Sequence, residues 1–224
     1  MSPDIETSLR DLEVLGSLGP EQLLELRPKL VECEIERGRV IYFVGDPADH
    51  LFWVFRGAVR LYKSSLEGRI ITLEVLGPGE VFGAISALDQ DAYPASAEGV
   101  SDGAALCLPR AYFLQLLNND PRITRAILEV ITRRLHSAQE RVRSFAQDPA
   151  PTRLAQALLR LARDGKADVT RRDLAENAGT TVETAIRVLR GFQRDGIVHG
   201  SVGHIEIRDA PKLEYIAGSQ LDST

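Results

Sequence analysis

"TTVETAIRVLRGF", residues 180–192, decides how the second half of this chain is read. Ala185, Val188, Leu189 and Phe192 fall at helical spacing and form one apolar face. The opposite face carries Thr181, Glu183, Thr184, Arg187, Arg190, Gln193 and Arg194. Upstream, Thr170 is positioned to cap a shorter helix that buries Leu174 and Ala178, and Gly179 stands where a tight turn requires a positive φ. The longer helix is expected to begin at Thr180, with Thr180 and Glu183 spaced as a capping box. Two short strands, IVHG and HIEIRD, then flank an SVG turn. Helix, turn, helix and hairpin over 152–210 have the layout of a winged helix-turn-helix.

Glu183 and Arg187 are four apart and share a helix face. On one reading Glu183 is a cap and Arg187 its exposed ion-pair partner, a contact worth only about 0.5 kcal/mol. On the other, both face DNA bases in the major groove. Arg187 donates a bidentate pair to guanine O6/N7 and Glu183 accepts from cytosine N4, with roughly 1–3 kcal/mol of discrimination per good pair. The base-reading candidates are Thr181, Val182, Glu183, Ile186 and Arg187. Arg171, Arg172, Thr184, Arg190 and Arg194 are the candidates for phosphate contacts, which fix position without carrying sequence information.

Outward from this stretch, "AQDPAPT" at 146–152 puts two prolines and a polar break before the motif, so residues 148–224 are read as the DNA-binding domain. Residues 110–147 precede it as a helical region. Within them Leu128, Leu135 and Val142 repeat every seven residues, and Ile131, Ala138 and Phe145 do so with an offset of three. A strict heptad seam indicates a helix packed on another helix. The alternatives are the protein's own barrel and a second copy of the chain; the long, narrow seam favours a two-fold dimer.

Residues 33–108 have a different texture. Short β-type runs (ECEIERG, VIYFVGD, LFWVFRG, AVRLYKSSLEG, RIITLEVLGPGE, ASAEGVSDG, AALCLP) alternate with Gly38, Gly45, Gly57, Gly68, Gly77, Gly79 and Gly103. The pattern predicts an antiparallel sandwich or jelly roll of about eight strands. Ahead of it, Leu9, Leu12, Leu15, Leu23, Leu26 and Leu30 keep helical spacing, interrupted by Gly16, Gly19 and Pro20. Residues 1–109 thus read as a helical segment and a β-roll, and the whole as an α+β chain.

The composition, 44% hydrophobic and 26% charged, is that of an ordinary globular protein. No apolar run approaches a membrane span, and the acidic start lacks the features of a signal peptide, so a cytoplasmic protein without membrane contact is expected. The net charge of −5 argues against indiscriminate coating of nucleic acid. Residues 1–148 carry 16 basic against 22 acidic side chains, a balance of −6; residues 149–224 carry 11 against 10, or +1. Cys33 and Cys107 stand far apart in different contexts. That argues against a disulfide framework or an all-cysteine metal site, leaving two small buried or half-buried residues with a redox role as the alternative.

The segments "GDPADHLFWVFRGAVRLY", "LGPGEVFGAISALDQDAYPASAE" and "TTVETAIRVLRGFQRDGIV" resemble the CRP/FNR-type transcription regulators in order and spacing, over nearly the whole chain. The resemblance implies a homodimer with a double-stranded β-roll, a long dimerisation helix and a winged helix-turn-helix. It also implies a pseudo-palindromic, partly TGA-like DNA site matching Glu183 and Arg187, and RNA polymerase as a further partner. Family members that bind cyclic nucleotides use a glutamate for the ribose and an arginine for the phosphate, because a buried phosphate needs a cation and N–H donors. Here Ala84 and Pro94 stand at those positions, within a degenerate pocket of Gly83, Ala84, Ile85, Pro94, Ala95 and Ser96.

Cyclic nucleotide is therefore not expected, and no cofactor is assigned. The cysteine cluster of the iron–sulfur branch is missing, and His50, His136, His199 and His204 are scattered. The alternatives are a regulator gated by an unidentified small molecule or haem in the roll, and a cyclic-nucleotide-binding subunit with no DNA role. A cupin-like enzyme would need clustered histidine and carboxylate ligands, and no metal site or catalytic residue is expected.

Overall fold

The leucines near the N-terminus are buried at every expected position. Glycine and proline divide their run into 3-10 turns at Leu9–Asp11, Leu15–Ser17 and Arg27–Lys29 and one short helix, α1 (Pro20–Leu26). The computed structural model describes residues 9–64, 70–89, 92–162, 164–201 and 203–218. The chain divides into two units, Met1–Ser64 with Thr72–His136 and Ser65–Ile71 with Ser137–Thr224.

The roll consists of β1 (Val31–Ile35), β2 (Val40–Tyr42), β3 (His50–Ser64), β4 (Ile70–Leu76), β5 (Val81–Phe82) and β6 (Ser96–Pro109), with α2 (Ala84–Asp89) between the last two. The sheet order is β1-β6-β3-β4, with β2 also paired to β6 and β5 to β3. The described residues thus form six strands here rather than about eight. LFWVFRG and AVRLYKS join as β3, and ASAEGVSDG and AALCLP join as β6.

Gly57 and Gly103 bend these long strands instead of ending them. Gly57 has φ +83°, and a Cβ on Gly103 would lie 2.1 Å from the Arg56 carbonyl oxygen. Only glycine permits so close a crossing. The β3–β6 register shifts at the same place, between Val54 and Val59. The turn expected at Gly68 lies outside the described residues.

Pairing of β1 with β6 sets Val31 opposite Cys107 and Cys33 opposite Ala105. The two cysteines that the sequence holds far apart therefore share one face of adjacent strands.

Helices α3 (Arg110–Asn119) and α4 (Pro121–Gln147) are separated at Asp120. Its carboxylate accepts from the Arg122 backbone N–H at 3.0 Å and from the Gln22 amide at 2.8 Å. On α4, Ile123, Ile127 and Val130 form a buried row at i, i+4 and i+7 in the core of the roll's leucines.

The second unit contains α5 (Ala150–Leu161), β7 (Lys166–Ala167), α6 (Arg171–Asn177), α7 (Val182–Arg194), β8 (Val198–Ser201), β9 (His204–Ile207) and α8 (Ala210–Ile216). Leu154, Leu158, Leu174, Ala185, Leu189, Phe192, Ile197 and Leu213 form its core. The hairpin β8–β9 gains β7 as a third strand, in the order β7-β9-β8. Neither β7 nor α8 is foreseen from periodicity. Among the described residues no helix is long and apolar enough to cross a membrane.

Candidate nucleic-acid interface

Two capped helices and a glycine turn build the motif. Thr170 caps α6, accepting from the Asp173 N–H at 3.1 Å, while the Asp173 carboxylate accepts from the Thr170 N–H at 3.0 Å. Gly179 takes φ +57° between the helices. Helix α7 starts one residue later than its sequence implies: Thr181 is the N-cap and accepts from the Thr184 N–H at 3.2 Å. Both threonines of the Thr180–Thr181 pair are competent caps, and Ala185, Leu189 and Phe192 reach the core with the later start.

That shift bears on Glu183, whose carboxylate is not held in a box with Thr180. Among the described residues the side chains of Glu183 and Arg187 make neither an ion pair with one another nor another hydrogen bond, and both are exposed. The exposed face also carries Thr181, Val182, Arg190 and Arg194. Ile186 and Thr184 are half-buried, and the Thr184 hydroxyl accepts from Thr181 at 3.1 Å. On α6, Arg172 is exposed and Arg171 half-buried. Arg194 lies 3.4 Å from Asp195.

Several side chains that periodicity did not single out brace this surface. Gln193, expected on the polar face, donates to the Gly200 carbonyl at 3.1 Å and so ties α7 to the wing. His204 Nδ1 lies 2.6 Å from Asp168 Oδ1, joining β9 to the loop after β7. Val202 of the expected SVG turn lies outside the described residues, while Gly203 has φ +83°.

Arg153 on α5 donates to the Phe145 carbonyl at 3.2 Å and to the Gly179 carbonyl at 3.3 Å, with its guanidinium 5.9 Å from the centre of the Phe145 ring. The ring lies over Gly179, where a Cβ would approach it to 2.8 Å. Arg153 thus clamps the end of α4 to the turn that sets the start of α7. No motif marks such a residue; only the fold brings its two acceptors together.

The predicted heptad seam divides between two environments. Leu128, Leu135 and Val142 are 56%, 54% and 69% exposed. Ile131 is half-buried against the roll's core, Ala138 is half-buried, and Phe145 packs on Gly179. An open groove of about 550 Å³ lies beside Leu128, lined also by Arg125, Glu129, Thr132, Arg133 and His136.

In the roll, aromatic rings occupy the interior around the expected effector pocket. Tyr42 stacks on Tyr93 at 3.7 Å and Phe52 on Phe82 at 5.0 Å. Burial pushes the Tyr93 phenol up to about 12, and its O–H donates to the His50 carbonyl at 2.8 Å. Gly83 has φ +76°, and a Cβ there would meet the His50 carbonyl oxygen at 3.0 Å. Ala84 is buried, Ile85 and Pro94 face outward, and Ala95 is buried beside Ser96. The Ser96 hydroxyl already accepts from the Val44 N–H at 3.0 Å.

Two half-buried guanidiniums of this unit, those of Arg60 and Arg134, are matched by carboxylates. Arg60 lies 3.1 Å from Glu98, and Arg134 lies 3.5 Å from Glu74 and 3.9 Å from Glu13. Glu13 also pairs with Arg133 and accepts from the Val81 N–H at 3.0 Å.

The comparisons with known proteins agree with this architecture. Residues 32–120 match the cyclic nucleotide-binding domain family, and residues 152–216 match the Crp-like helix-turn-helix domain. The chain is 37% identical to the cyclic AMP receptor protein of Thermus thermophilus over 81% of its own length and 85% of the relative's. It is 26% identical to a CRP-like cAMP-activated global transcriptional regulator of Mycobacterium tuberculosis, over 89% of this chain and 94% of that one. The structure of FixK2 from Bradyrhizobium japonicum superposes with a TM-score of 0.77 at 26% identity, covering 84% of this chain and 96% of that one. The chain belongs to the CRP/FNR family of transcription regulators and carries that family's helix-turn-helix DNA-binding domain.

Replacing Arg153 with Met keeps the apolar stem and removes both donors to Phe145 and Gly179. Because Arg153 Nε is buried and has no hydrogen-bond partner among the described residues, the net cost is modest, about 1–2 kcal/mol. Denaturant unfolding should register it as a lower midpoint, whereas Arg172→Met, on the exposed face, should shift stability by less than about 0.5 kcal/mol. Equal midpoints for the two variants would show that the clamp contributes nothing.

Proposed function

We propose that this protein is a homodimeric, sequence-specific DNA reader that regulates transcription without cyclic nucleotide. The observation that carries the reading is the uncommitted pair Glu183 and Arg187 on the exposed N-terminal half of α7. A good bidentate contact from Arg187 to guanine is worth roughly 1–3 kcal/mol of discrimination, against about 0.5 kcal/mol for the exposed ion pair.

Thr181 and Val182 extend that surface, and Ile186, half-buried, offers its margin for apolar contact with a base. Arg171, Arg172, Thr184, Arg190 and Arg194 hold phosphates and set the register. In domain terms, 148–224 reads DNA, 110–147 dimerises and 1–109 is the roll. A two-fold dimer then reads a pseudo-palindrome with half-site centres roughly 34–36 Å apart. RNA polymerase is the further partner, the compartment is the cytoplasm, and the protein is a regulator rather than an enzyme.

The dimer reading rests on Leu128, Leu135 and Val142. Burying each half-exposed side chain contributes on the order of 1 kcal/mol. Six of them across a two-fold offset only the lower end of an association cost of about 4–15 kcal/mol. The row must therefore act together with its flanks, and a charge placed at its centre is enough to undo it.

Independence from cyclic nucleotide is supported by the roll interior, although the Thermus relative is named a cyclic AMP receptor. A cyclic phosphate needs a cation and N–H donors at its own position. Here Ala84 and Pro94 supply no charge, and Arg60 and Arg134 are matched by carboxylates. Tyr42, Phe52, Phe82 and Tyr93 occupy the neighbouring interior.

Arg187→Ala should cost ~1–3 kcal/mol on a preferred duplex while leaving affinity for random duplexes unchanged. An equal loss on both would assign Arg187 to phosphates instead. Leu135→Asp should convert the dimer to a folded monomer in sedimentation, with circular dichroism retained; a dimer that persists would move the interface off this row.

A further inference from the structure

The only two cysteines of the chain lie 74 positions apart in sequence and side by side in space. Direct cross-strand partners and residues two apart on one strand share a face. Because Val31 faces Cys107 and Cys33 faces Ala105, Cys33 and Cys107 are diagonal neighbours on one face of β1 and β6, and the Cys33 thiol donates to the Val31 carbonyl at 3.9 Å. Cys107 is buried within the roll, while Cys33 is half-buried beside Val31, which is 59% exposed. A small oxidant therefore reaches Cys33 first. Among the described strands β1 stands at the end of the sheet order and pairs with β6 alone.

We propose that Cys33 and Cys107 form a reversible dithiol–disulfide couple, a peroxide-sensitive modification site in the roll. In the first step the Cys33 thiolate attacks one oxygen of hydrogen peroxide. The S–O bond forms, the O–O bond breaks, and the departing hydroxide takes up a proton as water. In the second step the Cys107 sulfur attacks the Cys33 sulfenic sulfur. The S–S bond forms, the S–O bond breaks, and the hydroxyl leaves with the Cys107 proton as a second water. Two thiols lose two electrons, and one peroxide becomes two waters.

The division of roles follows from the surroundings. Burial, reinforced by the neighbouring Cys33 sulfur, pushes the Cys107 thiol up to about 12, so it stays protonated until the adjacent sulfenic acid offers a leaving hydroxyl. Diagonal placement makes the couple labile rather than structural. Diagonal neighbours have Cα atoms roughly 7–8 Å apart, beyond the usual disulfide span of about 4.4–6.8 Å. Closing the bond must draw β1 along β6, and a strained disulfide is the more easily reduced kind.

The test uses the full chain, reduced, desalted and exposed to hydrogen peroxide at a small molar excess. Intact mass and thiol alkylation are then read before and after dithiothreitol. The expected product is a single chain lighter by two hydrogen atoms, with neither thiol alkylated and both restored by the reductant. Cys107→Ser should instead gain oxygen at Cys33, and Cys33→Ser should leave Cys107 unmodified. Wild-type protein that keeps both thiols, gains oxygen without losing hydrogen, or links two chains would overturn the proposal. The wild-type mass decides the matter even if a variant fails to fold.

Discussion

Helix α4 must satisfy two apolar rows at once, and the packing of the roll depends on that constraint. Ile123, Ile127 and Val130 are seated in the leucine-rich core of the roll, while Leu128, Leu135 and Val142 are left in water. A broad single-faced helix would bury both rows in its own chain; a heptad repeat keeps the second row on a separate line. The inner row is fixed beside β4 and β5 by Arg134, which donates to the Val81 carbonyl and faces Glu74 and Glu13. At its far end the helix hands over to the reading motif through Phe145, Gly179 and Arg153.

A related trade appears inside the roll. A nucleotide pocket leaves polar groups waiting for a ligand, which costs stability until the ligand arrives. Here two hydroxyls of the corresponding segment already have partners within the chain. Tyr93 donates to His50, Ser96 accepts from Val44, and stacked rings take up the apolar interior. The roll retains the family's framework, and the proposed independence from cyclic nucleotide rests on this packing.

Much of this was legible in the sequence, for identifiable physical reasons. Periodicity located α4 and α7, because a helix that buries one face must repeat at its own pitch. The Thr170 cap and the positive φ of Gly179 were legible because turn and cap geometry restrict residue type locally. What failed was information held between distant segments. Gly57 and Gly103 look like turn residues, yet each is required by the other strand's close approach. The diagonal contact of Cys33 with Cys107 depends on strand register, which no local pattern encodes. Two further local signals exist in the sequence: Asp164–Gly165 marks the turn before β7, and Asp209 ahead of Pro211 marks the start of α8. At α7 adjacent threonines made the cap ambiguous by one residue, and that residue decides whether Glu183 is held in a box.

The most direct measurement is selection from a randomised duplex pool by the purified, dialysed protein near physiological salt, followed by sequencing of what it retains. The expected result is a pseudo-palindrome with two equivalent half-sites, enriched in the absence of any added nucleotide. Enrichment that appears only when cyclic AMP is supplied, or retention of duplexes without shared sequence, would contradict it.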